Sequence, residues 1–281
     1  MLEHRSWADG LWMAVGMLLL LLYLAGVLAG RRRGRGWPAA RTIAWSGGVL
    51  CCLAATAGPL ARIGQTSFSA HMAGHLLLGM LAPLLLVLGA PVTVALRGLP
   101  VQHARRLSRV LARPELAVLT HPVTAALLDV GGLWLLYGTP LFGWMHASPA
   151  GHLVAQIHVL VAGYLFTFSL VGVDPTGHRA DIRLRSAVLV AALAAHGILA
   201  KRLYVDPPAG VSVADGERAA MVMFYGGDLV EIVLVVAVCL EWYRRTAPRS
   251  VGTSAGEGHG PAVVRLGQIP SRASDPGRQT E

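Results

Sequence analysis

Two histidines four residues apart, His71 and His75, stand at the start of the apolar stretch SFSAHMAGHLLLGMLAPLLLVLGAP. Residues at i and i+4 share a helix face, so both imidazoles come within reach of one ion or one partner. A histidine inside a bilayer segment is costly unless it faces protein or water, which makes the pair a functional-site candidate. His152, His158 and His196 fall at similar depth in later apolar segments, and Met72, Met145, Met221 and Met223 share that level. Imidazole suits copper, and thioether favours copper(I) in particular. The set His71, His75, His152, His158, His196 and Met72 therefore reads as candidate copper(I) ligands. His152 and His158 are six apart and point to different faces, so the five histidines do not all serve one ion. Hydrogen-bonded structural histidines and gap-filling methionines are the competing reading.

Acids inside apolar segments are the second anomaly. Asp129 lies in the middle of one, and Asp228 and Glu231, three apart, share one face of another. Such carboxylates face a bundle interior or a water-filled cavity. They suit a proton or ion pathway, a structural hydrogen bond, or a carboxylate that orients a ligating histidine. Cys51 and Cys52 are adjacent and Cys239 is remote, so no disulfide framework exists. They read as small packing residues, with a soft-metal relay as the alternative. No nucleophile elbow, zincin motif or phosphate loop occurs, and a non-enzyme is expected.

These residues need a membrane scaffold. Only 14% of the 281 residues are charged, against about 25% in a soluble domain, and the mean hydropathy is +0.55. About 20 apolar residues cross a bilayer. Seven segments qualify, near 11–30, 42–60, 71–96, 120–142, 152–172, 185–203 and 220–243, giving an all-α polytopic membrane domain over 1–243. Pro83 is tolerated inside a span, and Pro91 predicts a bend or end there. The first segment carries its arginines after the apolar run, as a retained anchor does rather than a signal peptide. Basic residues sort by side. Five arginines lie in 31–41, five in 97–121, three in 173–185 and six in the tail, so nineteen of the 24 fall on one face. The positive-inside rule puts that face in the cytoplasm and the N-terminus outside. The net charge of +9 thus reflects topology and contact with lipid headgroups, and no nucleic-acid motif accompanies it. Residues 97–118 read as a basic interfacial helix that lies on lipid or docks a partner, and 244–281 as a disordered cytoplasmic tail. In this orientation the five histidines lie within roughly 12 Å of the outer surface at 1.5 Å per residue. His103, His121, His178 and His259 fall on the inner side. His4 and His146 are assigned to outer connecting segments, apart from the cluster.

The segment HMAGHLLLGMLAPLLLVLGAPVTVALRGLP resembles the third-span signature of the CtaG family of membrane-integral cytochrome c oxidase assembly factors, with its His-Met-x-x-His type start and Leu-Gly-Ala-Pro turn. HLVAQIHVLVAGYLFTFSLVGVDP is similar to the family's histidine-started span ending near Asp-Pro. MVMFYGGDLVEIVLVVAVCLEW resembles its Gly-Asp region, with Phe224 where tryptophan is usual. The likeness covers roughly residues 10–243. It implies a multi-pass protein of the bacterial plasma membrane that matures haem–copper cytochrome c oxidase, with the oxidase subunits as partners and copper as the ion handled. His71, His75 and His152 match family histidines, whereas Ala-Ala-His-Gly-Ile-Leu around His196 departs from the pattern. Two other functions fit the residues: a copper or small-ion transporter using Asp129, Asp228 and Glu231, and a b-type haem protein using facing histidines. A purely structural scaffold is the third alternative.

Overall fold

A computed structural model describes residues 3–174 and 179–246, with side chains from Asp9 onward. Residues 247–281 of the expected tail, His178 and His259 lie outside these residues, and 244–246 are helical. Everything described is helix or short connection, with no strand. The helices are α1 (Glu3–Arg32), α2 (Ala39–Ile63), α3 (Phe68–Gly98), α4 (Val101–Leu111), α5 (Pro114–Leu119), α6 (Pro122–Gly138), α7 (Leu141–Ala147), α8 (Pro149–Val171), α9 (Ile182–Val205) and α10 (Val213–Thr246). Six of them, α1, α2, α3, α8, α9 and α10, are long and apolar enough to cross a membrane. A seventh crossing results if α6 and α7 count as one broken span.

That pair covers the expected span at 120–142 and is bent. α7 leaves α6 at 82°. The break has a local cause. Thr139 turns its hydroxyl back onto the Leu135 carbonyl (2.7 Å) and receives the Leu141 amide (3.3 Å), while Pro140 has no amide to continue the ladder. At ~1.5 Å per residue α6 alone is roughly 25 Å long, short of a full hydrocarbon core.

Apolar side chains cover the outside as a lipid-facing surface requires: Leu18, Leu21 and Leu22 on α1, Val190 on α9, and Leu229 and Ile232 on α10 are all exposed. Inside, polar groups tie the helices together. Tyr23 of α1 donates to the Gly89 carbonyl of α3 (2.8 Å) and stacks on Trp45 of α2 at 4.9 Å. Trp134 of α6 donates to the Ala195 carbonyl of α9 (3.1 Å).

Helix starts are capped from elsewhere in the chain. Asp215 of α10 accepts from the Phe68 amide (2.6 Å) and the Ser69 hydroxyl (2.8 Å), pinning the start of α3. The predicted bend at Pro91 is present. Ala90 there is left-handed (φ 50°), and the helix restarts with Pro91 in its first turn. Asp174, buried after α8, accepts from the amides of Val92 (3.1 Å) and Thr93 (2.7 Å) at this restart. The Leu-Gly-Ala-Pro element and Asp174, far apart in sequence, thus form one structural feature.

Two segments are π-helical: Leu77–Leu81, just after His75 in α3, and Leu127–Gly131 around Asp129 in α6. A π-turn carries an extra residue and re-aims the side chains that follow it. The α3 bulge is pressed against α8, where a Cβ on Gly163 would collide with the Gly79 carbonyl. Only glycine fits there.

Candidate functional site

His71 and His75 project from the first turns of α3, which Ser67 caps through the Ala70 amide. His152 projects from the first turn of α8, capped by Ser148 through the Gly151 amide (2.9 Å). Because both starts lie at one end of the bundle, the histidines meet. His71, His75 and His152 line a cavity of about 60 Å³ together with Met145, Tyr137 and Gln156. We call this cavity the vestibule.

His146, placed by sequence in an outer connection, belongs to this group. The bend before α7 folds it back, so its ring centroid lies 5.5 Å from that of His71 and 6.2 Å from that of His152. His146 Nδ1 is 3.0 Å from the Phe142 carbonyl. A carbonyl only accepts, so Nδ1 carries the proton, and a neutral ring keeps its Nε2 lone pair for another partner. His71 Nε2 shares a hydrogen bond with the Tyr137 hydroxyl (3.2 Å).

A second, deeper cavity of about 30 Å³ is lined by His75, His196, Asp129, Glu231, Met80 and Thr167, among others. His75 lines both cavities and forms the wall between them. Both π-helical segments contribute, through Gly79 and Met80 on one side and Asp129 and Val130 on the other. Glu231 accepts from His196 Nδ1 at 2.9 Å, a contact that fits both a structural hydrogen bond and a carboxylate that orients a histidine. His75 and His196 are 8% and 4% exposed, and the Nε2 of each has no protein partner. The His196 ring fits because position 227 is glycine; a Cβ there would stand 2.5 Å from His196 Cε1.

Three expected site residues lie apart. His158 sits on an exposed face of α8, where its Nε2 donates to the Leu128 carbonyl (3.1 Å) and its ring packs over Gly132. That carbonyl belongs to the α6 π-turn, so His158 supports backbone that the bulge displaces. Met72 is fully buried in an apolar cluster with Phe68, Leu199 and Met223, and lines neither cavity. Asp228 is half-buried on α10 and also lines neither. Among the described residues, no three His, Cys, Asp or Glu side chains converge tightly enough to enclose a metal ion. What the two cavities offer is pairs of imidazoles with a thioether nearby, Met145 in the vestibule and Met80 below. This is a donor set for a low-coordinate soft cation rather than for a closed tetrahedral or octahedral site.

Sequence reasoning missed His146, Tyr137 and Met80. The Phe-x-x-x-His spacing of Phe142 and His146 was the available signal for a short helix presenting an imidazole, but nothing local reported the 82° bend that aims it.

Residues 21–245 match the cytochrome c oxidase caa3 assembly factor (CtaG) family over most of the chain. The chain belongs to that family. Uncharacterized proteins of Mycobacterium bovis and Mycobacterium tuberculosis are each 34% identical to it over 258 residues, and one of Mycobacterium leprae is 32% identical. Each alignment takes in 84% of this chain but only 39% of the relative, so the chain spans about two-fifths of the length of these proteins. No solved structure matches. As a CtaG-family chain with several apolar crossing helices, it is a multi-pass protein of the bacterial membrane.

Proposed function

We propose that the chain serves in the assembly of haem–copper cytochrome c oxidase in the bacterial plasma membrane, receiving copper(I) at the vestibule and passing it to oxidase subunits. Family membership supports the first half of the reading. The observation that carries the second is the convergence of His71, His146 and His152 with Met145 at one end of the bundle. Neutral nitrogen and thioether donors hold copper(I) in two- or three-coordinate fashion, and low coordination lets a partner's ligand displace the protein's own. The vestibule end opens outward in the orientation that the arginine distribution favours. The protein makes and breaks no covalent bond in this role and is not an enzyme.

The test is the paired substitution His71→Ala/His75→Ala under copper limitation. Oxidase activity is expected to fall to background while the protein's membrane level stays near normal, because alanine favours the helix at both positions. Added copper is expected to restore part of the activity by bypassing delivery. Active oxidase at wild-type levels in the double variant would end the copper reading.

One observation favours a second function. The deeper cavity shares the His75 wall with the vestibule and is lined by Asp129 and Glu231, as a stage of an ion path would be. A transporter would move copper across proteoliposomes carrying the purified protein, and an assembly factor would not.

A further inference from the structure

His75 and His196 reach one chamber from opposite helices, and each presents a buried Nε2 that no protein group satisfies. Buried polar atoms are nearly always partnered, so two such nitrogens facing one cavity need a common explanation. Their chemistry narrows it. His196 Nδ1 donates its hydrogen bond to Glu231, so in the neutral ring Nε2 is a lone pair that only accepts. A carboxylate behind an imidazole is the arrangement that fixes the tautomer of a metal-ligating histidine and raises its basicity. Met80 adds a thioether to the same wall, and Asp129 and Glu231 place carboxyl groups there. The volume of about 30 Å³ suits a bare ion or a single water and excludes a larger ligand.

We infer that this chamber is a second soft-cation site, in which His75 and His196 ligate copper(I) and Glu231 positions His196. The inference deepens the copper reading of the vestibule and rests on it for the identity of the ion. His75, which borders both cavities, is the residue through which an ion received at the vestibule is handed inward. Gly227 is part of the device, because any side chain there would push the His196 imidazole out of the chamber.

Titration of copper(I) into the purified full chain against a chromophoric chelator tests both sites separately. Two ions per chain are expected for the wild type. His75→Ala/His196→Ala is expected to lose the inner ion, and His71→Ala/His146→Ala the outer one. Glu231→Ala should weaken the inner ion by about 10–100-fold. Glu231→Gln, whose amide oxygen still accepts the Nδ1–H bond, should recover much of that loss. Tenfold zinc should not displace the inner ion.

Retention of both ions by His75→Ala/His196→Ala overturns the chamber site, as does unchanged affinity in Glu231→Ala. Displacement by zinc overturns its assignment to a soft cation. If the inner pair costs an ion while the outer pair costs none, the chamber stands and the vestibule reading falls. Should His75→Ala/His196→Ala fail to fold, the Glu231 pair decides, since neither substitution removes a ligand.

Discussion

Which ring nitrogen each histidine has already committed separates binding from structural imidazoles. His146 commits Nδ1 to the Phe142 carbonyl and His196 commits Nδ1 to Glu231, leaving Nε2 lone pairs directed elsewhere. His158 commits Nε2 to the Leu128 carbonyl across two helices and takes no place in either cavity. Substitution should therefore divide them. His146→Ala is expected to weaken copper(I) binding with little change in stability. His158→Ala is expected to leave copper(I) affinity unchanged and to lower stability by about 1 kcal/mol, the usual size of a lost hydrogen bond at a partly exposed site. Chelator competition and denaturation in detergent measure the two quantities. A copper defect in His158→Ala with unaltered stability would reverse the assignment. Met72 makes a related point, since a thioether beside two histidines in sequence points into an apolar cluster, about 100° around the helix from His71.

Helix ends and breaks build the vestibule, while the inner chamber also draws on the middles of α9 and α10. α3 is held at its start by Asp215 from α10 and at its restart by Asp174 from beyond α8, so both ends of the histidine helix are positioned by distant acids. Asp174→Ala should cost about 1–2 kcal/mol, as loss of a strong N-cap does, and should loosen the segment after Pro91 without affecting copper binding. At the opposite end of the bundle Arg185 of α9 is fully buried and makes a bidentate pair with Glu241 of α10, at 3.0 and 2.9 Å. Its guanidinium also meets the Leu170 carbonyl at the end of α8 (2.5 Å). Glu241 is shared with Arg179 and Arg245, at 2.8 and 2.6 Å. Breaking a buried pair usually costs about 3–5 kcal/mol because the abandoned charge stays in a dry site. Here two further arginines remain on Glu241, so Arg185→Ala is expected near the lower bound. Thermal unfolding of the detergent-solubilised variant checks this.

For the whole molecule, the two ends of the bundle differ in kind. One gathers imidazoles and aromatic rings around the vestibule. The other gathers arginines, with Arg33 clamping the carbonyls that end α3 at Arg97, Gly98 and Leu99 (2.8–3.1 Å) and α4 adding Arg105 and Arg109. The positive-inside rule assigns the arginine end to the cytoplasm. Reporter fusions after residue 148 are then expected to be active outside the cell, and fusions after 110 or 245 to report cytoplasm. An external signal at 245 would mean an even number of crossings between the N-terminus and that point, with α6 and α7 failing to span. That outcome is the one the 82° bend makes worth testing.

Apolar run length and arginine placement were enough to read a polytopic helical bundle, because hydrocarbon forbids unpaired backbone and a helix satisfies its own. The same local logic located the break at Pro91 and the shared face of His71 and His75, since four-residue spacing and a missing amide act within one turn. The site itself was only half legible. Sequence placed His75 and His196 at one depth, yet rotation about each helix axis decided that they share a chamber, and packing through Gly163 and Gly227 sets that rotation. The π-turns beside His75 and Asp129 left no compositional trace. His146 joined the cluster and His158 left it for a single reason. Which way a short helix turns after Pro140, and which carbonyl a bulge exposes, are set by contacts between segments that the linear order keeps apart.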